Sequence, residues 1–423
     1  MRGMLHGSNV GSALGPTSRM RSAQAQTLHS NHGPATSAGP TQGRWGVAAV
    51  VRRLASGLTT AATFVFLLAG GASAAELKTK NIIFITIDGL RWQEVFRGSD
   101  DAFANKEFGG VSDKALVFMQ EEFAQGTPTE RRRVLMPFVW GEIAQRGQLF
   151  GNRDTNSPMR VTNTAQISYP GYNEMLTGAA DPRITGNARV PNPNITVLEW
   201  LNGRPGFQGR VVPLAAWNVF DSIFNVPRSG LPLWLTNQHS DPAKASARLL
   251  DIEQWMQDIP TKGRDEHYDG FVYHAAVDMI ETKAPRVLFV GFGEPDTYGH
   301  GRAYDKYLDS TRRVDRFIRQ LWEKVQSLPQ YRGTTTLIVT VDHGRGRSPK
   351  DWASHNQQSP GSDETWLMVL GPDTPALGER RDRALMTTGQ VAATVAKLLG
   401  EDFRAAFPQA AEAVADVFPQ AGK

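Results

Sequence analysis

The sequence predicts an α/β fold, a three-layer α/β/α sandwich around a mostly parallel central sheet. Three observations lead there. Residues 82–87, 287–292 and 336–341 are near-continuously apolar runs of strand length, the pattern of strands buried on both faces. Helical stretches alternate with these runs, and strand–helix alternation builds a parallel sheet covered on both sides. Each run is followed at once, or within a few positions, by an acid: Asp88, Asp296 and Asp342. In open α/β sheets the carboxyl ends of the strands are where loops converge into a crevice, so these acids stand where ligands bind.

Taken in order, the elements begin with the strand 82–87, followed by a longer variable segment to about Gly126 and a helix over 131–146. A short β-branched run at 209–213 precedes a helix over 244–258 and an apolar-periodic stretch over 268–282. The strand 287–292 leads into a strongly periodic helix over 303–326. The series closes with strands 336–341 and 366–370 and a helix over 388–399, which Gly400 stops. There is no internal repeat and no linker after residue 80. A single domain over 75–423 is expected, with insertions near 91–130 and 214–285 beside the crevice. Arg312, Arg313, Arg316 and Arg319 lie in the 303–326 helix beside Asp305, Asp309, Asp315 and Glu323. That mixture reads as a solvated face laced with i,i+4 pairs rather than a phosphate-binding one.

Composition excludes several classes. With 423 residues, 40% hydrophobic and 21% charged, the chain has ample apolar residues for a large core. Its +4 charge resides in the first 74 residues, which hold six Arg and no acid. The remainder carries 40 basic and 42 acidic residues, so no nucleic-acid-binding surface is implied. Residues 1–43 form a low-complexity lead-in, and Met20 is an alternative start. Residues 45–53 then read as the basic n-region, 54–68 as the h-region, and Ala72-Ser73-Ala74 as the cleavage motif of a secretory signal peptide. Arg52-Arg53 adds weak support for twin-arginine export. The chain is therefore expected in the periplasm or secreted, touching a membrane only through an uncleaved signal segment. Cysteine is absent, so any metal site must use His, Asp, Glu or hydroxyl ligands.

Beyond the presequence only six histidines remain, and three fall in acid-rich motifs. Asp296 and His300 are four apart, a spacing that one helical turn or a tight loop brings to one ion. Asp342-His343 are adjacent at a strand end, His355 lies on a loop, and Asp88 precedes Gly89, which permits a sharp turn. A strand-end Asp alone commonly caps a turn, and a lone His is commonly structural. Three carboxylates with three imidazoles exceed one tetrahedral zinc and suit two divalent ions, Zn²⁺ being the expected choice. The candidate nucleophile is Ser168, in Ser168-Tyr169-Pro170 at the start of a helix ending before Gly178. Either Ser168 or Tyr169 is expected as the cap of that helix. A hydroxyl there faces the positive end of the helix dipole, and metal coordination would lower its pKa further.

Read in order, these motifs resemble the alkaline phosphatase superfamily, and within it the nucleotide pyrophosphatase/phosphodiesterase branch. Residues 81–91 are similar to its opening strand and first metal ligand, 168–178 to its nucleophile helix, and 294–300 and 341–344 to its second and third metal motifs. His355, with Gly371-Pro372 after the next strand, is similar to its last ligand. The resemblance implies an alkaline phosphatase-like fold. It implies one zinc on Asp296, His300 and His355, and another on Asp88, Asp342, His343 and the Ser168 oxygen. The implied course is attack by Ser168 on a small phosphate ester, a covalent phosphoseryl intermediate, and its hydrolysis.

There are departures. Serine replaces the branch's threonine, and Gly171-Tyr172 replaces its Asn-His. The branch binds the phosphoryl oxygen with an Asn; Asn187, Asn192 and Asn194 all stand near the place, with Asn187 the catalytic candidate. No Lys-x-Arg clamp follows Trp217, which tilts the reading from monoesters toward diesters. Trp217, Phe220 and Phe224 line a leaving-group pocket or pack in the core. The alternatives are a phosphomonoesterase or sulfatase of the same superfamily, or a non-catalytic metal-binding relative. Tyr172 breaks the sulfatase signature, which wants Arg there.

Overall fold

In a computed structural model the described residues are 76–261 and 267–419. The presequence readings, including the signal segment, lie outside them. An eight-stranded sheet forms the middle layer. Its strands in chain order are β1 (Asn81–Ile87), β2 (Gln148–Phe150), β3 (Val211–Ala215), β4 (Trp234–Leu235), β5 (Val287–Phe292), β6 (Thr335–Thr340), β7 (Leu367–Leu370) and β8 (Gly378–Glu379). Across the sheet they run β8-β2-β7-β6-β1-β5-β3-β4. All pairs are parallel except those of β7, which runs against both β6 and β2. The expected mostly parallel α/β sandwich is the observed one.

Alternation along the strands fills both faces. Ile83, Ile85 and Ile87 of β1 join Leu288 and Val290 of β5 and Leu337 and Val339 of β6 in one core. Ile82 and Phe84 join Phe289, Ile338 and Val369 in the other. Because both faces are apolar, helices must cover both. Those bearing on the site or on the packing beneath it are α1 (Pro128–Leu135), α2 (Ser168–Thr177), α3 (Ala247–Asp258), α4 (Asp269–Thr282), α5 (Glu294–His300), α6 (Tyr304–Ser327) and α7 (Gln390–Leu398). Residues of α3, α4 and α6 belong to the first core, and those of α2 and α7 to the second.

One expectation needs correction. The helix over 131–146 is broken: α1 ends at Leu135, a wide π-type turn covers Val139–Ile143, and only Ala144–Arg146 returns to α-helix. Pro137 ends α1, since it lacks an N–H and pushes Met136 out of the helical region (φ −129°), and the buried Asp315 carboxylate of α6 then accepts the N–H groups of Phe138 (2.9 Å) and Val139 (3.0 Å) at the start of the wide turn. The helix over 303–326 is preceded by a separate one, α5, so of the two arrangements that the Asp296/His300 spacing allows, the helical turn is the observed one. On α6, Arg313 makes the expected i,i+4 pair with Asp309, whereas Arg312 pairs with Glu122 of another element. Among the described residues no helix is long and apolar enough to cross a membrane.

Candidate active site

The three central strands β6, β1 and β5 are neighbours, so their carboxyl ends deliver side chains to one place. Asp88 follows β1 directly. Gly89 then turns back with φ 59°, and its N–H donates to Asp342 Oδ1 at 3.2 Å. A Cβ on Gly89 would collide with Asp296, so the glycine is needed for space as well as for its left-handed φ. Asp342 and His343 follow β6. Asp296 and His300 lie one turn apart on α5, whose first N–H groups, those of Gly293 and Glu294, donate to Asp269 at 2.8 and 3.0 Å. His355 arrives on the loop before β7. Its ring stacks on His343, with centroids 3.8 Å apart.

Ligand atoms converge in two sets. His343 Nε2 stands 3.1 Å from Ser168 Oγ, 3.4 Å from Asp88 Oδ1 and 3.3 Å from Asp342 Oδ2. His300 Nε2 stands 3.1 Å from Asp296 Oδ2 and 2.9 Å from His355 Nε2, which is 3.7 Å from Asp296 Oδ1. A tetrahedral zinc with ligands near 2.0–2.1 Å has ligand–ligand edges of about 3.3 Å, so both sets are spaced for such an ion. Asp342 Oδ2 is buried without a hydrogen-bond partner, the state of a donor atom kept for a cation. His343 Nδ1 lies 2.8 Å from the Gly344 carbonyl and donates to it, which leaves Nε2 facing the carboxylates. The residues fit metal binding, in an Asp88/Asp342/His343 group and an Asp296/His343/His355 group that share His343, with His300 beside the second.

Electrostatics agree. Burial and then the neighbouring Asp296 charge push the Asp88 carboxyl up, and burial with the Asp88 charge pushes Asp342 well up. His343 is driven down by burial but together more strongly up by Asp342 and Asp88, to about 9, so its Nε2 holds a proton between the carboxylates that a bound cation would have to displace. His355 is held well below the usual histidine range by burial and by His343, which keeps its ring neutral as a ligand requires. For Asp296 burial raises the carboxyl, but the Arg345 guanidinium and the imidazoles of His355 and His300 more than reverse this and hold it well down.

Ser168 is the first residue of α2, and Ile167 is the cap, so the expected capping role does not apply. Its Oγ is left to the site, 3.5 Å from Asp88 Oδ1. The next N–H, that of Tyr169, donates instead to Asn187 Oδ1 at 2.9 Å. Asn187 lines the site's cavity of about 220 Å³ together with Asp88, Ser168, Trp217, Asp296, His300 and His355. Asn192 and Asn194 bond to Asn173 and do not line it. Trp217 is on the wall, whereas Phe220 and Phe224 are buried among Tyr172 and Phe289, so the leaving-group reading fails for those two.

Two residues that touch the ligands escaped the sequence reading of the site. Tyr172, noted there only as a departure, donates its hydroxyl to Asp88 Oδ2 at 3.2 Å. Arg345, two positions after His343, pairs with Asp296. Its one sequence signal is a charge set between two glycines, Gly344 and Gly346.

Residues 202–402, somewhat less than half of the chain, match the family model of type I phosphodiesterase / nucleotide pyrophosphatase. This is the branch the motifs resemble, and the matched stretch includes Asp296, His300, Asp342, His343 and His355. Among solved structures, the chain is similar to an alkaline phosphatase superfamily protein from Vibrio parahaemolyticus (14% identity, TM-score 0.45, covering 77% of this chain and 67% of that one). It is also similar to the lipoteichoic acid synthase LtaP from Listeria monocytogenes (12% identity, TM-score 0.47, 76% and 72%). A third is the phosphonate monoester hydrolase of Agrobacterium radiobacter (12% identity, TM-score 0.47, 76% and 74%). No curated protein sequence matches the chain.

Proposed function

We propose that the protein is a two-metal phosphoester hydrolase that acts on phosphodiesters through a covalent intermediate on Ser168. The observation that carries this reading is the placement of Ser168 Oγ, 3.1 Å from His343 Nε2 and within the Asp88, Asp342 and His343 set, with Asp296, His300 and His355 alongside. Asp88, Asp342, His343 and Ser168 would hold one ion, and Asp296, His300 and His355 the other. Bound there, the ions would supply positive charge for the nucleophile and for the phosphoryl and leaving oxygens.

The chain's own residues do the rest. Ser168 Oγ lies at the positive end of α2, where the helix dipole favours loss of its proton. Its attack on phosphorus forms the Ser168 Oγ–P bond as the bond to the leaving alcohol breaks. Water then cleaves the seryl ester and returns the hydroxyl. The Tyr169 N–H holds Asn187 Oδ1, so Asn187 Nδ2 is left to donate to a nonbridging oxygen. Among the described residues no Lys or Arg lines the cavity. A monoester dianion would find no guanidinium or ammonium there, whereas a diester carries one charge less. This favours diesters over monoesters, and Trp217 offers a flat apolar wall for one ester substituent.

The test compares bis-p-nitrophenyl phosphate, p-nitrophenyl phosphate and p-nitrophenyl sulfate with zinc-loaded protein. The diester should be the best substrate, and Ser168→Ala should lower kcat by on the order of 10³-fold or more while retaining metal. A metal-loaded protein that hydrolyses none of the three overturns the reading. Preference for the sulfate would reassign the ester class.

A further inference from the structure

The buried Arg345 has no part in the chemistry just described, yet it touches what holds one of the two ion sites together. Its side chain is 0% exposed. The guanidinium makes three contacts: Nη1 donates to Asp296 Oδ1, Nε to the Trp352 carbonyl at 2.9 Å, and Nη2 to the Ala353 carbonyl. Asp296 is a ligand of the proposed second site, and Ala353 lies two residues before His355, another of its ligands. One planar fork therefore ties an α5 side chain to the backbone of the loop that carries His355, a geometry that guanidinium provides and ammonium does not.

Space for the fork is built in. A Cβ on Gly299, in α5, would stand 2.8 Å from both Cζ and Nε of Arg345. A Cβ on Gly89 would stand 3.0 Å from Nη1 and would strike Asp296. Both glycines thus leave room for this one cation. Burying a guanidinium is costly unless it is paired and fully bonded, and here the pairing is with a proposed metal ligand.

We infer that Arg345 is a positioning residue that preassembles the Asp296/His300/His355 site. By occupying Asp296 Oδ1 it turns Oδ2 toward His300 Nε2, 3.1 Å away, and it fixes the His355 loop against α5. Of the other set, Asp88, Asp342 and His343 hang directly on the ends of β1 and β6, and none of its members bonds to the guanidinium. This inference rests on the two-ion reading above.

The experiment titrates metal-free protein with Zn²⁺ against a chromogenic chelator, with circular dichroism to confirm folding. Wild type should take up two ions; fewer would overturn the two-ion reading itself. Arg345→Gln should keep one ion at wild-type affinity and bind the other about 10–100-fold more weakly, the usual effect of losing a group that orients a ligand. Gly299→Ala crowds the guanidinium without removing a buried charge and favours helix. It should weaken the same ion, and it decides the matter if Arg345→Gln does not fold. In a His355→Ala background, where the Asp88 set alone remains intact, Arg345→Gln should leave the remaining ion's affinity unchanged. Folded Arg345→Gln or Gly299→Ala protein that binds both ions as wild type does would overturn the inference. Equal weakening of both ions would do the same, since a merely structural role loosens the two sites alike.

Discussion

Gly171 is where backbone contact sets the distance between the nucleophile helix and the metal ligands. A Cβ there would run into the carbonyl oxygen of Asp342, an atom fixed just beyond β6 that cannot step aside. Gly171→Ala should therefore push α2 away from the strand end and carry Ser168 Oγ out of reach of His343. A displacement of about 1 Å can cost on the order of 10²-fold in rate, and overpacking costs roughly 1–3 kcal/mol. Steady-state kinetics on a diester and urea unfolding would check both; unchanged kcat would mean that the glycine does not govern the approach. Much of this centre was legible residue by residue. Asp88, Asp342 and His343 follow apolar strands, and Asp296 and His300 have helical spacing, so local pattern was enough. Tyr172 and Arg345 were not legible as ligand partners, because their contacts with Asp88 and Asp296 span 84 and 49 positions and no local rule pairs them.

At the scale of elements, strong periodicity read well and breaks within it did not. The helix expected over 303–326 is α6, Tyr304–Ser327, since its buried stripe is written in its own sequence. The helix expected over 131–146 ends before Pro137, a local stop that the surrounding helical pattern masked, while the wide turn beyond it is held by Asp315, 177 positions from Phe138. Likewise, the apolar pattern of β7 could not show that it runs antiparallel. Asp315 also makes this junction pH-dependent. Burial pushes its carboxyl up to about 7, against the pull of the Phe138 and Val139 N–H groups and of Arg319. A folded-state pKa above the unfolded value means that the folded protein binds the extra proton. The contribution is thus full below about pH 4 and is lost as pH rises through about 7, with a slope of at most about 1.4 kcal/mol per pH unit. Asp315→Asn removes that titration. The difference in unfolding free energy between wild type and variant, followed from pH 4 to pH 8, should shift steadily in the variant's favour. A difference that stays flat over this window would show that Asp315 does not titrate there.

Across the whole molecule, the sheet gathers Asp88, Asp342 and Asp296 at its centre, and the fold tolerates them only in part. Arg345 balances Asp296, whereas Asp88 and Asp342 share the single imidazole of His343. The Asp342 carboxyl is pushed well up by burial and by Asp88, so its charge opposes folding increasingly as pH rises. Cations bound to the folded state alone reverse this by mass action, by about 2.7 kcal/mol at a hundredfold excess over Kd. Chelation at pH 8 should therefore lower the thermal midpoint by several degrees, and zinc should restore it. Asp342→Asn separates the charge from the fold, because Asn Oδ1 can still accept the Gly89 N–H that Asp342 Oδ1 accepts at 3.2 Å. In metal-free form this variant should melt above metal-free wild type. With zinc it should gain less than wild type gains and hydrolyse ester poorly, the trade between stability and activity expected of a site built from like charges. Scanning fluorimetry of the four states decides it: if metal-free Asp342→Asn melts below metal-free wild type, the buried carboxylates are not a source of instability.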